Sequence, residues 1–509
     1  MTLCMRRNRH PRILTVIPLT LAVAAAAVIV RAGTFSTGGS VKVSGPSPFT
    51  GCTADDPSNQ PGSIVPDSEV EPWLAINPTN PANLVAVWAQ DWWAPPGQGA
   101  RGIVAGVSFD GGVSWRDVVV PGITPCSGGT SARTGDSWLS FAPNGDLYLS
   151  VLGVNVTSTG IVPPGRILVT KSTNGGLTWG PVTTLIEDKD GIQDKDSITA
   201  DPGDPNLAYA VWDDTSHSNF LVRFARTTNG GVSWESARTI YNPPTFNLPI
   251  GSQIVVLPNG TLLDFFSEGQ RQNLAGGGSV RDPWILSVIR STDKGMTWGP
   301  NKPIRIAEIK TSACATSFSC VTDPDTGQHI RDAAILFDVA VDPRNGNLYL
   351  QWTDGRFSNF QYFSVAFSMS TDGGSTWSAP IKINKTPTNI PPGSQQAFGH
   401  SIHVAADGTI GVAYYDFRFD DPGPGLLTDY WLVHCHPGTD CTQPASWADE
   451  NRLTDASFDI EKAVPAVFGL FVGDYQGMTA DGNDFLAVWS QPQGMDPDTV
   501  FFQRVKVSN

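Results

Sequence analysis

Ser108-Phe-Asp110-Gly-Gly112-Val-Ser-Trp115 is the stretch that decides the fold, because it recurs along the chain. Variants stand at Ser172-Thr-Asn174-Gly-Gly176-Leu-Thr-Trp179 and Thr227-Thr-Asn229-Gly-Gly231-Val-Ser-Trp234. Two more follow at Ser291-Thr-Asp293-Lys-Gly295-Met-Thr-Trp298 and Ser370-Thr-Asp372-Gly-Gly374-Ser-Thr-Trp377. An internal repeat of S/T-x-D/N-x-G-x-x-W constrains the architecture before any single residue is interpreted. Physically it reads as a tight turn between two strands. The Asp or Asn accepts hydrogen bonds from backbone N–H groups ahead of it. The glycines take positive φ without steric cost, and the Trp opens the next strand with a large apolar face.

Upstream of each signature lie two apolar strands separated by a turn, then a third strand that leads into it. The first unit shows Trp73-Leu-Ala-Ile-Asn-Pro78, Leu84-Val-Ala-Val-Trp88 and Ile103-Val-Ala-Gly-Val107. The second shows Trp138-Leu-Ser-Phe-Ala-Pro143, Leu147-Tyr-Leu-Ser-Val151 and Ile167-Leu-Val169. The third, fourth and fifth begin at Ile198, Ile254 and Val339. Two further units lack the signature. One starts at Ile402 and carries Cys435 and Cys441 where the signature would fall; the other starts at Tyr475 and stops one strand short. Four strands per unit is the plan of a propeller blade. An open ring would leave exposed sheet edges, and Val41-Lys-Val43 is available as the missing strand. The expectation is therefore an all-β, single β-propeller of four-stranded antiparallel blades closed by an N-terminal strand. Seven blades are favoured, with six and one irregular sheet as the alternative.

The signature resembles the Asp-box of bacterial-neuraminidase-type repeats, which implies a sialidase-like propeller. Two other stretches, Glu71-Pro-Trp-Leu-Ala-Ile-Asn-Pro-Thr-Asn80 and Phe471-Val-Gly-Asp-Tyr-Gln-Gly477, resemble exported Asp-box proteins described as sialidase-like. The resemblance implies three arginines clamping a substrate carboxylate, a Tyr nucleophile activated by Glu, and an Asp as acid/base. The family's F/Y-R-I-P motif is missing, and Glu71-Pro-Trp-Leu occupies its place.

Composition agrees with an exported protein. Arg6, Arg7, Arg9 and Arg12 precede an apolar run from Ile13 to Val30, and Val30-Arg-Ala32 offers a cleavage site. The rival reading of that run is an uncleaved membrane anchor. The expected organisation is a signal peptide at 1–32, an N-terminal segment with the closing strand at 33–69, and the propeller at 70–509. Residues 1–32 hold five Arg and no acid, so their removal takes the formal charge from −15 to −20. Such acidity disfavours nucleic acid and anionic membranes as partners. Of the six cysteines beyond the leader, Cys314 with Cys320 and Cys435 with Cys441 suit short loop-closing disulfides, leaving Cys52 with Cys126. Other connectivities remain formally open.

In a propeller the innermost strands begin, and the second strands end, on the face opposite the signature turns. That face is predicted to collect Glu69, Glu71, Asp136, Asp194, Asp196, Ser252, His400, Asp474 and Tyr475 from the starts. From the second-strand ends come Asp91, Trp92, Trp93, Asp213, Asp214, Glu268, Arg271, Asp354, Arg356, Asp416 and Arg418. Matched to the sialidase inventory, Tyr475 with Glu71 is the nucleophile pair. Asp136 or Asp91 is the acid, and Asp474 lies beside the nucleophile. Arg356 and Arg418 are the clamp, with Arg271, Arg133 or Arg281 as the third, and Trp92 and Trp93 are the aromatic platform. The expected activity is that of a glycoside hydrolase on carbohydrate or glycoconjugate, and the alternative is a non-catalytic glycan- or protein-binding propeller. A monomer without cofactor is expected; Glu71, Asp136, Asp196 and Asp474 would select Ca2+ if they held a cation.

Overall fold

Consecutive strands pair antiparallel in groups of four. The computed structural model describes residues 34–508 apart from 159, 216–219, 274–278, 312, 313, 315, 317 and 448, with the backbone alone at 34, 279–281, 301, 400, 507 and 508. The expected signal at 1–32 lies outside the described residues. The first group runs Glu69–Ile76, Leu84–Ala94, Ala100–Ser108 and Arg116–Val119. The second, Arg133–Phe141, Leu147–Thr157, Gly160–Ser172 and Thr183–Asp188, is bridged to the first where Ala100 meets Thr134. The third is Gln193–Ala200, Ala208–Asp214, Leu221–Thr227 and Arg238–Tyr241. The fourth is Leu248–Val256, Leu262–Asn273, Ser279–Ser291 and Gly299–Ile309.

The fifth is Phe337–Val341, Leu348–Asp354, Ser364–Ser370 and Ile381–Lys382, and the sixth Ala397–Val404, Ile410–Asp416, Leu427–Cys435 and Asp449–Arg452. A last group has Met478–Asp481, Asp484–Gln493 and Asp496–Ser508. Thr34–Thr37 and Val41–Lys42 pair along its outer edge. The first strand of each group lies beside the first strand of the next, and Met478–Asp481 lies beside Glu69–Ile76. This succession of stacked four-stranded sheets is the plan of a β-propeller.

Because each sheet is covered on both faces, its second strand reads as a continuous apolar run rather than an alternation. Leu84–Ala94, Ala208–Asp214, Leu348–Asp354 and Ile410–Asp416 are buried at every position. Trp88, Trp212 and Trp352 on these strands, and Trp489 on Asp484–Gln493, are fully buried. A buried indole N–H usually takes a hydrogen-bond partner. Each has one at 2.7 Å: Gln90, Gln193, Asp354 and Gln491 respectively.

The signature turns are built as their chemistry dictates. The hydroxyl at the first position accepts from the fifth-position glycine N–H, at 2.9 Å in Ser108/Gly112 and 2.8 Å in Ser291/Gly295. The same hydroxyl donates to Asp or Asn Oδ1, which also takes the seventh-position N–H; Ser114 N–H to Asp110 is 2.9 Å. The seventh-position hydroxyl donates to the other carboxylate oxygen, at 2.6 Å in Ser114/Asp110, and that bond, followed by the N–H bond, draws Asp110, Asp293 and Asp372 down to about 2. Ser108 pairs with Leu84, which pairs with Ile76, so the signature stands at the end where the inner strand finishes.

The three disulfides are Cys52–Cys126, Cys314–Cys320 and Cys435–Cys441. One small sheet was not foreseen from the sequence. Val321–Thr322 and His329–Ile330, between the fourth and fifth groups, join Gly469–Phe471 and Val464–Ala466, between the sixth and last. The join is parallel, Ile330 opposite Leu470. No helix among the described residues is long and apolar enough to cross a membrane.

Candidate functional site

The inner strands are interrupted at one recurrent place. Pairing with the second strand skips two residues between Val70 and Trp73, Gly135 and Trp138, Asp194 and Ser197, Ile250 and Gln253, and Phe398 and Ser401. The first residue skipped is left-handed each time: Glu71 (φ 58°), Asp136 (47°), Lys195 (47°), Gly251 (76°) and Gly399 (127°). A bulge of this kind bends the strand and re-aims a side chain. For a residue with a Cβ the left-handed conformation costs about 1–2 kcal/mol, so Glu71, Asp136 and Lys195 must recover that elsewhere.

They recover it from one another. Lys195 Nζ lies 2.6 Å from Asp474 Oδ2, 2.9 Å from Asp136 Oδ1 and 3.8 Å from Glu71 Oε1. The bulged backbone follows the same path. Asp136 N–H donates to Glu71 Oε2 at 3.2 Å, and Lys195 N–H donates to Asp136 Oδ2 at 3.1 Å. Arg331 enters from the connector before the fifth group, its Nε donating to Asp474 Oδ1 at 2.8 Å and its Nη2 to Oδ2.

Burial, and then the charge of Asp136, push Glu71 up to about 8. Asp194 is pushed by burial up to about 7, with Lys195 opposing. Burial works against the Asp474 carboxylate too, but Arg331 and Lys195 outweigh it and hold that group well below the usual carboxylate range. Asp196 is buried beside the cluster, neither oxygen completes a hydrogen bond among the described residues, and burial followed by Asp136 drives it well upward.

Tyr475 completes the constellation with Trp73 and Trp138. The two indoles stack at 3.5 Å, and the phenol ring meets them edge-on at 5.9 Å and 5.4 Å. Its hydroxyl is buried with no hydrogen-bond partner among the described residues, and burial, then Glu71, push it well above the usual phenol range. Tyr475, Glu71, Asp136 and Asp474 are thus brought together, but among the described residues no hydrogen bond links the Tyr475 hydroxyl to Glu71.

The arginines expected as a clamp are engaged apart from this cluster and from one another. Arg356 is held by Asp354 of its own sheet at 2.8 Å and by the Glu308 carbonyl. Arg418 is held by Asp416 at 2.7 Å and by Glu450 at 2.6 Å, over the Trp431 ring. Arg271 stacks on Phe246, and Arg133 on Trp93. The Arg281 side chain and that of His400 lie outside the described ones.

The aromatic platform also needs correcting. Trp92 is packed against Phe471 and Trp93 lies under Arg133, 5% and 1% exposed, so both are core. Asp91 is taken by Ser47 at 2.7 Å, Glu69 by Ser44 and Gln90, Asp213 by Ser252 and Gly251, Asp214 by Arg223, and Glu268 by Tyr241.

Sequence reasoning missed Lys195 and Arg331. Lys195 had a signal, standing between two flagged acids. Arg331 had none: its backbone N–H is fixed to Leu470 O at 2.8 Å and its guanidinium rests on Phe471, both from the unforeseen sheet. That sheet and Arg331 sit over the acids at the inner-strand starts. At the other end the inner strands enclose a cavity of about 500 Å3, lined by Trp73, Trp138, Phe141, Thr199, Gln253 and His403 among others.

No protein-family model and no curated protein matches the chain. Among solved structures it is similar to a protein of unknown function from Dyadobacter fermentans (12% identity, 93% of this chain and 99% of that one, TM-score 0.45). A Hadza microbial sialidase has 15% identity over 84% of this chain and 73% of its own, TM-score 0.46. The α-L-arabinofuranosidase of Fusarium graminearum has 12% identity, with 92% and 98% covered, TM-score 0.45. Likenesses this distant do not decide the chemistry of this chain.

Proposed function

We propose that this chain is an exported Asp-box propeller of seven blades, closed by its N-terminal strands, that binds a glycan end in its central channel and does not hydrolyse it. The groups that begin at Glu69, Arg133, Gln193, Leu248, Phe337, Ala397 and Met478 are the blades, and the five signature turns are the Asp-boxes. Three disulfides suit an oxidising, extracytoplasmic location.

The observation that carries the reading is the state of the acids. Lys195 and Arg331 saturate Asp474, Glu71 keeps its proton up to about 8, and the Tyr475 hydroxyl is buried and unactivated. A retaining glycosidase needs an ionised or activated nucleophile beside an accessible bond. The channel from the signature side is the open concavity instead. Its volume suits a small saccharide, with Trp73 and Trp138 as apolar walls and Gln253, Thr199 and His403 as polar contacts.

The test pairs turnover with binding. Purified protein is expected to hydrolyse no fluorogenic sialoside, arabinoside or other glycoside, while saccharides that bind quench tryptophan fluorescence, and Trp73→Ala weakens them. Turnover that disappears in Asp136→Asn would replace this reading with a glycosidase. No saccharide binding at all would remove the glycan.

A further inference from the structure

The sixth hairpin, which lacks the signature, carries a different set of side chains at the equivalent turn. His434 stands near the end of Leu427–Cys435 and His436 one residue beyond it, two positions apart along the chain. Asp449, on the neighbouring strand Asp449–Arg452, is directly opposite His434 in the pairing register. One ring nitrogen from each histidine and one oxygen of Asp449 lie within 4.8 Å of one another. Nε2 of His436 is 3.1 Å from Asp449 Oδ2, and Nε2 of His434 is 3.8 Å from the same oxygen.

A hydrogen bond to Asp449 accounts for His436. It does not account for His434, which is 1% exposed with neither ring nitrogen hydrogen-bonded among the described residues. An imidazole buried in that way is rare, since buried polar groups are paired almost without exception. Phe35, from the N-terminal strand, covers both rings, at 4.3 Å from His434 and 5.8 Å from His436. Its phenyl ring has no donor or acceptor to offer the pair.

We propose that His434, His436 and Asp449 bind a divalent transition metal, Zn2+ in particular. Two imidazoles and one carboxylate select a borderline cation over Ca2+ or Mg2+, which prefer all-oxygen sites. With bonds of about 2.0–2.1 Å to a tetrahedral ion, ligand atoms stand roughly 3.3 Å apart. The spacings of 3.1 Å and 3.8 Å bracket that value. The exposed side of Asp449 leaves the remaining coordination to solvent. The ion would tie the turn of the sixth hairpin to its outer strand, where the five signature hairpins use the hydroxyl-to-Asp/Asn hydrogen-bond staple.

The experiment is calorimetric titration of the chelator-treated, full-length folded protein with ZnCl2, and separately with CoCl2, with metal content by elemental analysis. One equivalent of Zn2+ is expected, a visible Co2+ ligand-field spectrum, and a rise in Tm on adding Zn2+. Asp449→Asn, at a 60% exposed side chain that the fold does not need, should weaken binding about tenfold or more and remove the Tm response. His436→Gln should do the same, and His434→Phe should abolish binding. A wild-type protein that takes up neither metal overturns the proposal, as does a stoichiometric site that survives folded Asp449→Asn and His436→Gln together.

Discussion

The ring of inner strands has two arcs that share a backbone and differ in what hangs from it. On one arc the left-handed bulge residue is Glu71, Asp136 or Lys195; on the other it is Gly251 or Gly399. The glycine arc has no room for a side chain. A Cβ at Gly251 would stand 2.8 Å from Leu336 Cδ2, and one at Gly399 would stand 3.3 Å from Tyr414 Cα. The charged arc accepts a strained conformation three times over, and its side chains meet at Lys195, which carries on to Asp474. The lesson is that this bulge serves as an aiming device where the side chain is long and charged, and as a packing solution where it is absent.

The strongest way to break the comparison is Lys195→Met. It leaves Asp136, Asp474 and Glu71 buried without their shared ammonium, and removing one partner from a buried ionic cluster typically costs about 3–5 kcal/mol. Urea unfolding should show a loss of that size; a loss below about 1 kcal/mol would mean the charged arc is held together by packing alone.

The second test is a pH profile. Glu71 is ordinarily ionised above its usual value of 4.5, but here it stays protonated up to about 8. The folded state therefore holds a proton that the unfolded chain releases. Its stabilising contribution is complete below 4.5, declines as the pH rises, and is gone above about 8. The wild-type urea midpoint should fall through that window, at most about 1.4 kcal/mol per pH unit from this one proton. Glu71→Gln should flatten the profile, and an unchanged slope would remove Glu71 from the titrating set.

Gly251→Ala sharpens the other arc. Positive φ and the contact with Leu336 together should cost about 1–2 kcal/mol by the same unfolding assay. A neutral outcome would show that the glycines are there for reasons other than space. The smallest effect is expected far from both arcs, at Ser370→Ala. It deletes the hydroxyl that accepts from Gly374 N–H and donates to Asp372, and should cost about 1 kcal/mol while leaving saccharide binding unchanged.

Much of this architecture was legible in the chain because its determinants are local. Turn residues at fixed spacing, apolar runs and closely spaced cysteines each act within a few positions, and the strands, the signature turns and two of the disulfides, Cys314–Cys320 and Cys435–Cys441, come from them. Glu71, Asp136, Asp474 and Tyr475 were expected on one face from their place in the repeat, and the three acids meet at Lys195. The arginine clamp was misread although its signal was present. Asp354-Gly-Arg356 and Asp416-Phe-Arg418 put an acid two residues before each guanidinium, and that acid takes it. The seal over the site was illegible for a different reason. It is made from two- and three-residue strands in two local pairs, joined only where Ile330 meets Leu470 more than a hundred positions away, and no periodicity marks so short a segment.

The pairing of Thr34–Thr37 with Val505–Ser508 brings together two stretches from far apart in the chain. The outer edge of Asp496–Ser508 is covered only when both stretches are present and folded together. Until they meet, that sheet keeps an unclaimed edge, and whatever removes Thr34–Thr37 exposes it again.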